Sequence, residues 1–189
     1  MRRINNQVRQ RLRQSQFHLP PSGLSATPEK TMSQQLQQFV AAADLPERGQ
    51  PLAGGTFITR YWLNGQERAL IQLPEEFAGE WGEYGQDVPG AKSYSDGEAN
   101  TRAMAEAGSE IAKKALELGG HIPSCLEGQL VMAAKADGLV TLREDRWHHL
   151  STQFSADYAY SMGFVDGWLY LGGKDNERLV RPVRSLPIQ

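Results

Sequence analysis

The sequence predicts an α+β fold, and three observations carry that expectation. An Asn64-Gly65 turn stands between two strand-like runs. Residues 95–138 then hold repeated helix-capping and helix-closing residues. Finally Trp147 to Arg184 alternates short aromatic or β-branched runs with turn residues. Strands at both ends with helices grouped between them predict helices packed on a small, twisted antiparallel sheet of short strands.

The first 50 residues read as an arm. Ile4, Val8 and Leu12 recur at spacing four over residues 1–16. That is too little apolar surface for a helix to persist without a partner. Pro20-Pro21-Ser22-Gly23 breaks the pattern and opens a linker to Pro28. Leu36, Phe39, Val40 and Ala43 form one stripe of a second helix expected over Thr31 to Ala43. Gly49, Pro46 and Pro51 end the arm, which places the boundary near residue 50, with 51–189 as the folded domain.

The domain opens on Phe57 to Leu63 and Arg68 to Leu73 around Asn64-Gly65. Both positions of such a turn need positive φ, so Asn-Gly specifies a two-residue hairpin. Its register sets Leu63 opposite Gln66, Tyr61 opposite Arg68 and Thr59 opposite Leu70. Residues 75–96 read as loop. Ser95 or Asp96 caps a helix to about Glu106. Ser109 caps another from Glu110 to Leu118, closed by Gly119-Gly120. Ser124 and Glu127 have capping-box spacing, and Leu126, Leu130, Val131 and Ala134 are expected to face the core behind them. Gly128 inside that helix costs about 1 kcal/mol against alanine and hints at a close backbone approach. Strands are expected over Tyr158–Val165, Trp168–Leu171 and Arg178–Val183.

Charge is unevenly spread. The 189 residues carry a net −2, yet residues 1–31 hold six basic residues against Glu29 alone, a net +5, which leaves −7 for the rest. Arg2, Arg3, Arg9, Arg11 and Arg13 thus make a cationic arm suited to a negative assembly partner. The slight overall charge does not favour specific nucleic-acid binding. No run of 18 apolar residues predicts a membrane span, and no apolar stretch follows the basic residues as in a secretory signal. A lone Cys125 has no disulfide partner and reads as a small buried hydrophobe.

Little points to catalysis. His148 and His149 are neighbours on an expected strand and so face opposite ways, one buried and the other wet; they cannot share a metal in regular strand geometry. Asp157, Asp166 and Asp175 flank turns, where Asp bonds its own backbone. They lack the density of a calcium loop. Gly172-Gly173-Lys174 lacks the spacing of a phosphate loop. No cofactor and no metal are therefore expected. The expected ligand-facing residues are Tyr158, Tyr160, Asp166, Trp168, Tyr170, Lys174 and Asp175, because rigid amphipathic side chains make good contact surfaces.

Four segments carry a family resemblance. They are Tyr61 to Arg68; Trp81-Gly82-Glu83-Tyr84-Gly85 with Ser93 to Thr101; Ile122-Pro123-Ser124 with Glu127 and Leu130; and Ser151 to Ala156 running through Lys174-Asp175 to Val180-Arg181-Pro182-Val183-Arg184. Over residues 55–185 the chain resembles a C-type-lectin-like domain frequent in tailed phages and prophages. That domain is related to the C-terminal domain of a collagen-like protein from Legionella. His149-Leu150 replaces the usual Trp-Ser pair, and Gly120-His121-Ile122 lacks the usual Asp-Trp-Tyr-like insert. The resemblance implies a C-type-lectin-like fold whose termini meet in a small sheet, with irregular strands and loops that bind. The related formylglycine-generating enzymes use cysteine chemistry that finds no counterpart beside Cys125.

The expected function is a non-enzymatic binding module of a phage or prophage, borne on a virion tail or fibre and touching a protein or glycan on the host or a structural partner. The basic arm would join virion proteins or sister subunits of a homo-oligomer. The alternatives are an effector in the host cytoplasm that binds and inhibits a host protein, and an enzyme of unknown substrate.

Overall fold

The computed structural model describes residues 39–189. The arm arginines, the helix expected over 1–16 and the linker lie outside them. In chain order the strands are β1 (Pro51–Leu52), β2 (Gly55–Leu63), β3 (Gln66–Gln72) and β4 (Phe77–Gly79). Three helices follow: α1 (Gly97–Glu106), α2 (Glu110–Glu117) and α3 (Cys125–Ala136). The chain closes with β5 (His148–Gln153), β6 (Tyr158–Gly163), β7 (Trp168–Gly173), β8 (Arg178–Val180) and β9 (Val183–Pro187). The fold is α+β, with a four-stranded sheet ordered β1-β2-β3-β9 and a five-stranded sheet ordered β4-β8-β5-β6-β7. All pairings are antiparallel except a parallel contact of β5 with β8.

The hairpin takes the expected register. Leu63 pairs Gln66, Tyr61 pairs Arg68 and Thr59 pairs Leu70, with a bulge between Phe57 and Thr59. Asn64 and Gly65 both have positive φ, at 52° and 78°. β3 then pairs β9, so the hairpin and the C-terminal strand share one sheet. Val40 is buried and bridges to Ile188. The compact unit therefore begins before the boundary expected near residue 50. The end of the helix expected over 31–43 is instead this extended bridge followed by a 3-10 turn, Ala42–Asp44.

The run expected as one strand from Arg178 to Val183 is two. Pro182 has no N–H to continue a ladder. Its carbonyl instead accepts from Leu73 N at 3.0 Å, and Val183 restarts pairing in the other sheet. Residues 75–96 also hold more than loop: β4 forms the edge of the five-stranded sheet, and Pro89–Ala91 makes a 3-10 turn.

Both faces of the five-stranded sheet are in contact with core. Leu150, Met162 and Phe164 join Ile58, Tyr61 and Leu70 of the hairpin and Cys125 and Val131 of α3. A Cβ at Gly128 would lie 2.8 Å from Leu150 Cδ2, the close approach its position hinted at. On the opposite face Ala159 and Val180 join Phe77, Trp81, Met104, Ile111 and Ala115. A third cluster, with Phe57, Ala69, Ile71 and Leu186, covers the other side of the four-stranded sheet.

Two of the three helices start on side-chain caps. Asp96 accepts from Ala99 N at 2.9 Å to begin α1. Ser109 precedes α2 but does not cap it; its hydroxyl donates to Trp81 O at 2.6 Å, tying the helix to the loop. Ser124 and Glu127 form the full capping box of α3. Leu126, expected in the core, is exposed, because the helix turns that face away from both sheets.

Glu127 does more than cap. Its buried carboxylate also accepts from Tyr61 Oη at 2.9 Å and lies 3.0 Å from His121 Nε2. Tyr61 in turn contacts Ser185 Oγ at 2.7 Å. Burial pushes the Glu127 carboxyl up, but His121 and the bonds from Ser124 and Tyr61 outweigh it and hold the group below its ordinary value. Glu127→Ala should lower the unfolding free energy by about 3 kcal/mol or more, because it leaves buried partners unsatisfied. Urea titration checks this, and a loss under about 1 kcal/mol would show that the cluster is not what ties α3 to the hairpin.

Candidate binding surface

Sheet register decides which aromatic residues share a surface. In the β6–β7 pair, Tyr160 lies opposite Leu171, Ser161 opposite Tyr170, and Gly163 opposite Trp168. Directly opposed residues share a face and neighbours along a strand alternate. Tyr158 and Tyr160 therefore sit on one face, and Trp168 and Tyr170 on the other. The single aromatic surface expected from the sequence is two.

Trp168 and Tyr170 dominate the first surface; they are 72% and 52% exposed. Trp147, just before β5, packs beside Tyr170 with ring centroids 5.3 Å apart. The Arg178 guanidinium lies 5.7 Å from the Tyr170 centroid and 6.0 Å from that of Trp147. Two glycines make this flat layer possible. A Cβ at Gly163 would approach the Trp147 ring at 3.3 Å, and one at Gly172 would lie 2.8 Å from Arg178 Cζ. Ala159, further along β6 on the same face, belongs to the core built with α1 and α2. The surface therefore lies where that core ends.

The β6–β7 turn borders a cavity of about 330 Å³ lined by Glu144, Asp145, Trp147, Val165, Asp166 and Trp168, among others. Asp166 Oδ1 accepts from Trp168 N at 3.1 Å, so this carboxylate shapes the turn and stands exposed at the rim. Gly167 closes the turn at φ 77°. Its carbonyl takes a bond from Gln129 of α3 at 3.1 Å, which fixes the turn against the helix.

On the opposite face, Tyr160 is half-buried and meets Tyr94 and Phe154 edge-on at 6.0 and 5.9 Å. Tyr158 is 42% exposed and meets Tyr84 at 6.3 Å. Both belong to a separate aromatic patch at the other end of β6. Asp175 is exposed in the β7–β8 turn.

Lys174 departs from expectation. It is fully buried and cannot face a ligand. Its ammonium donates to Gln86 O and Gln153 Oε1, both at 2.6 Å, and lies 4.5 Å from the Trp81 ring centroid. Burial pushes its pKa down to about 8. Lys174 thus anchors the Trp81–Gln86 loop to the end of β7. Trp147 and Arg178 are the members that sequence reasoning left outside the ligand-facing set. Trp147 opens the aromatic stretch, but Arg178 carries no local signal, since its side chain reaches Gly172 across the sheet.

His148 and His149 face opposite sides as expected, yet both are buried. The wet histidine expected from the sequence is absent, because each side of β5 is covered by core. His149 Nε2 lies 3.1 Å from both Gly79 O and Asn176 O. His148 packs edge-on against Phe164 at 4.8 Å. Burial pushes the Cys125 thiol up to about 11, away from the thiolate range at neutral pH. Among the described residues no three His, Cys, Asp or Glu side chains converge as a metal cluster, and no helix is long and apolar enough to cross a membrane. Compared with known proteins, the chain matches no protein-family model and no curated sequence.

The two histidines set a pH dependence. Burial lowers His148 from 6.5 to about 4 against the opposing pull of Glu76. Burial, aided by Arg178, lowers His149 from 6.5 to about 3. Below the unfolded value the unfolded chain takes up protons that the folded chain refuses until pH reaches those lower values. Their stabilising contribution is therefore complete above 6.5 and is lost as pH falls toward 4 and then 3. Each histidine should withdraw on the order of 2 kcal/mol by about pH 5. Melting temperature should fall between about pH 8 and about pH 5, and His148→Phe should flatten that fall; an unchanged slope would show that His148 does not titrate this way.

Proposed function

We propose that the chain is a non-enzymatic binding module with a C-type-lectin-like fold, belonging to a tailed phage or prophage. The partner lies against the Trp147–Trp168–Tyr170 surface. The observation that carries this reading is the open exposure of Trp168 and Tyr170 on a hydrogen-bonded sheet. Large amphipathic side chains held rigid before contact lose little entropy on binding and are typical anchors of recognition sites.

Other features support the reading. β9 pairs with the hairpin strand β3, and Val40 bridges to Ile188, so the two ends of the described domain meet in one sheet. The resemblance implies such a meeting of the termini. The buried, protonated Cys125 and the buried neutral histidines belong to the packing and lie away from the open surface. The basic arm, with Arg2, Arg3, Arg9, Arg11 and Arg13, serves to attach the module to virion proteins or to sister subunits.

Trp168→Ala tests the surface. The side chain is largely exposed, so its removal should shift the melting temperature by only a few degrees. Retention of the purified chain on host envelopes should weaken by at least about tenfold. Equal retention of the variant and the parent would overturn the site.

A further inference from the structure

Arg178 differs from the other arginines of the described residues. Arg48, Arg60, Arg68, Arg102, Arg143, Arg146 and Arg181 each form an ion pair with a carboxylate. Arg184 is held by the carbonyls of Gly119, Leu118 and Ala53. Arg178 alone among them has neither a hydrogen bond nor an ion pair to a described residue, although it is half-buried and its Nε is sealed from solvent. A guanidinium removed from water without a partner is costly, and aromatic contacts recover only part of the loss.

The neighbouring carboxylates do not supply that partner. Glu144 is paired with Lys135, Asp145 with Arg143 and Glu177 with Arg146, while Asp166 accepts from Trp168 N and forms no ion pair with Arg178. The surface therefore offers one cation without an ion pair, set against both Trp147 and Tyr170, next to the cavity that Trp147 and the open Trp168 line. A planar guanidinium in that position matches a planar anion such as a carboxylate.

Resting on the binding-module reading, we propose that the ligand is a saccharide bearing a carboxylate, bound with its acid group on Arg178 and an apolar ring face against Trp168 or Tyr170. A pyranose presents a face of C–H bonds to an aromatic ring and hydroxyl donors around its edge. The rim carboxylates of Glu144, Asp145 and Asp166 are acceptors suited to those hydroxyls. A cavity of about 330 Å³ sits at the small end of ligand-site sizes and suits one or two sugar units. An acidic peptide side chain would bring the charge without the surrounding hydroxyls.

An array of uronate- and sialate-bearing oligosaccharides, each beside its methyl ester, tests this with the full-length chain. An acidic peptide series serves as control. The parent should bind at least one acid form about tenfold or more tighter than its ester, and more weakly as salt rises. Arg178→Gln keeps a planar amide on the aromatic layer; it should erase the preference for the acid while the melting temperature stays within a few degrees. Trp168→Ala should weaken acid and ester alike. Equal, Trp168-dependent binding of acid and ester would overturn the role of Arg178 and leave the binding surface standing. Arg178-dependent capture of the acidic peptides alone would overturn the ligand class. Binding of no saccharide would overturn the proposal, even where Trp168-dependent retention on envelopes persists.

Discussion

The fold depends on one buried carboxylate. Glu127 opens α3, but its oxygens reach Ser124 N, His121 and the Tyr61 hydroxyl of β2. Tyr61 passes the link to Ser185 of β9, whose hydroxyl also receives Arg68 Nε at 2.6 Å. One ionised group thus joins a helix start, the first hairpin and the last strand. Its neighbourhood leaves no spare room: a Cβ at Gly97 would meet Glu127 Oε2 and come within 2.8 Å of Ser124 N. A buried charge held by three hydrogen-bonding partners fixes relative position strongly, since any shift leaves it less satisfied. α1, which begins at Gly97, is thereby set against the same point.

That constraint also places the open surface. With α3 held between the hairpin and the five-stranded sheet, its middle meets the β6–β7 turn, where Gln129 holds Gly167. The helices α1 and α2 contribute to the core on the opposite side of that sheet at β4 and β8. Beyond this core lie Trp147, Trp168 and Tyr170, with Gly163 and Gly172 giving the flat groups room to lie close to the backbone. Lys174 completes the arrangement from inside by drawing the Trp81–Gln86 loop onto the end of β7. The exposed rings thus stand on a scaffold fastened from both sides.

Arg178 gives that surface its chemical character. Packed against two aromatic rings and shielded along one edge, it forms no ion pair with a described carboxylate. An arginine in that position is left with hydrogen-bonding capacity that the described residues do not fill. The nearby carboxylates of Glu144, Asp145 and Glu177 are differently disposed, each matched to a cation of the chain itself, while Asp166 at the rim shapes its turn through Trp168 N.

Local chemistry by itself determined the α+β class, the hairpin and most helix starts. Asn64-Gly65 requires positive φ at both positions, Asp96 and the Ser124–Glu127 pair satisfy free N–H groups at helix starts, and all these interactions span a few residues. Only the tertiary structure decided which side chains meet. Sheet register separated Tyr158 and Tyr160 from Trp168 and Tyr170, and burial turned Lys174 from an expected contact into an anchor. The break at Pro182 sent β8 and β9 into different sheets, and Arg178 reached Gly172 across two intervening strands. Side-chain alternation within a strand is visible in the sequence. The face that packing covers depends on contacts between residues far apart in the chain, and no local spacing encodes those.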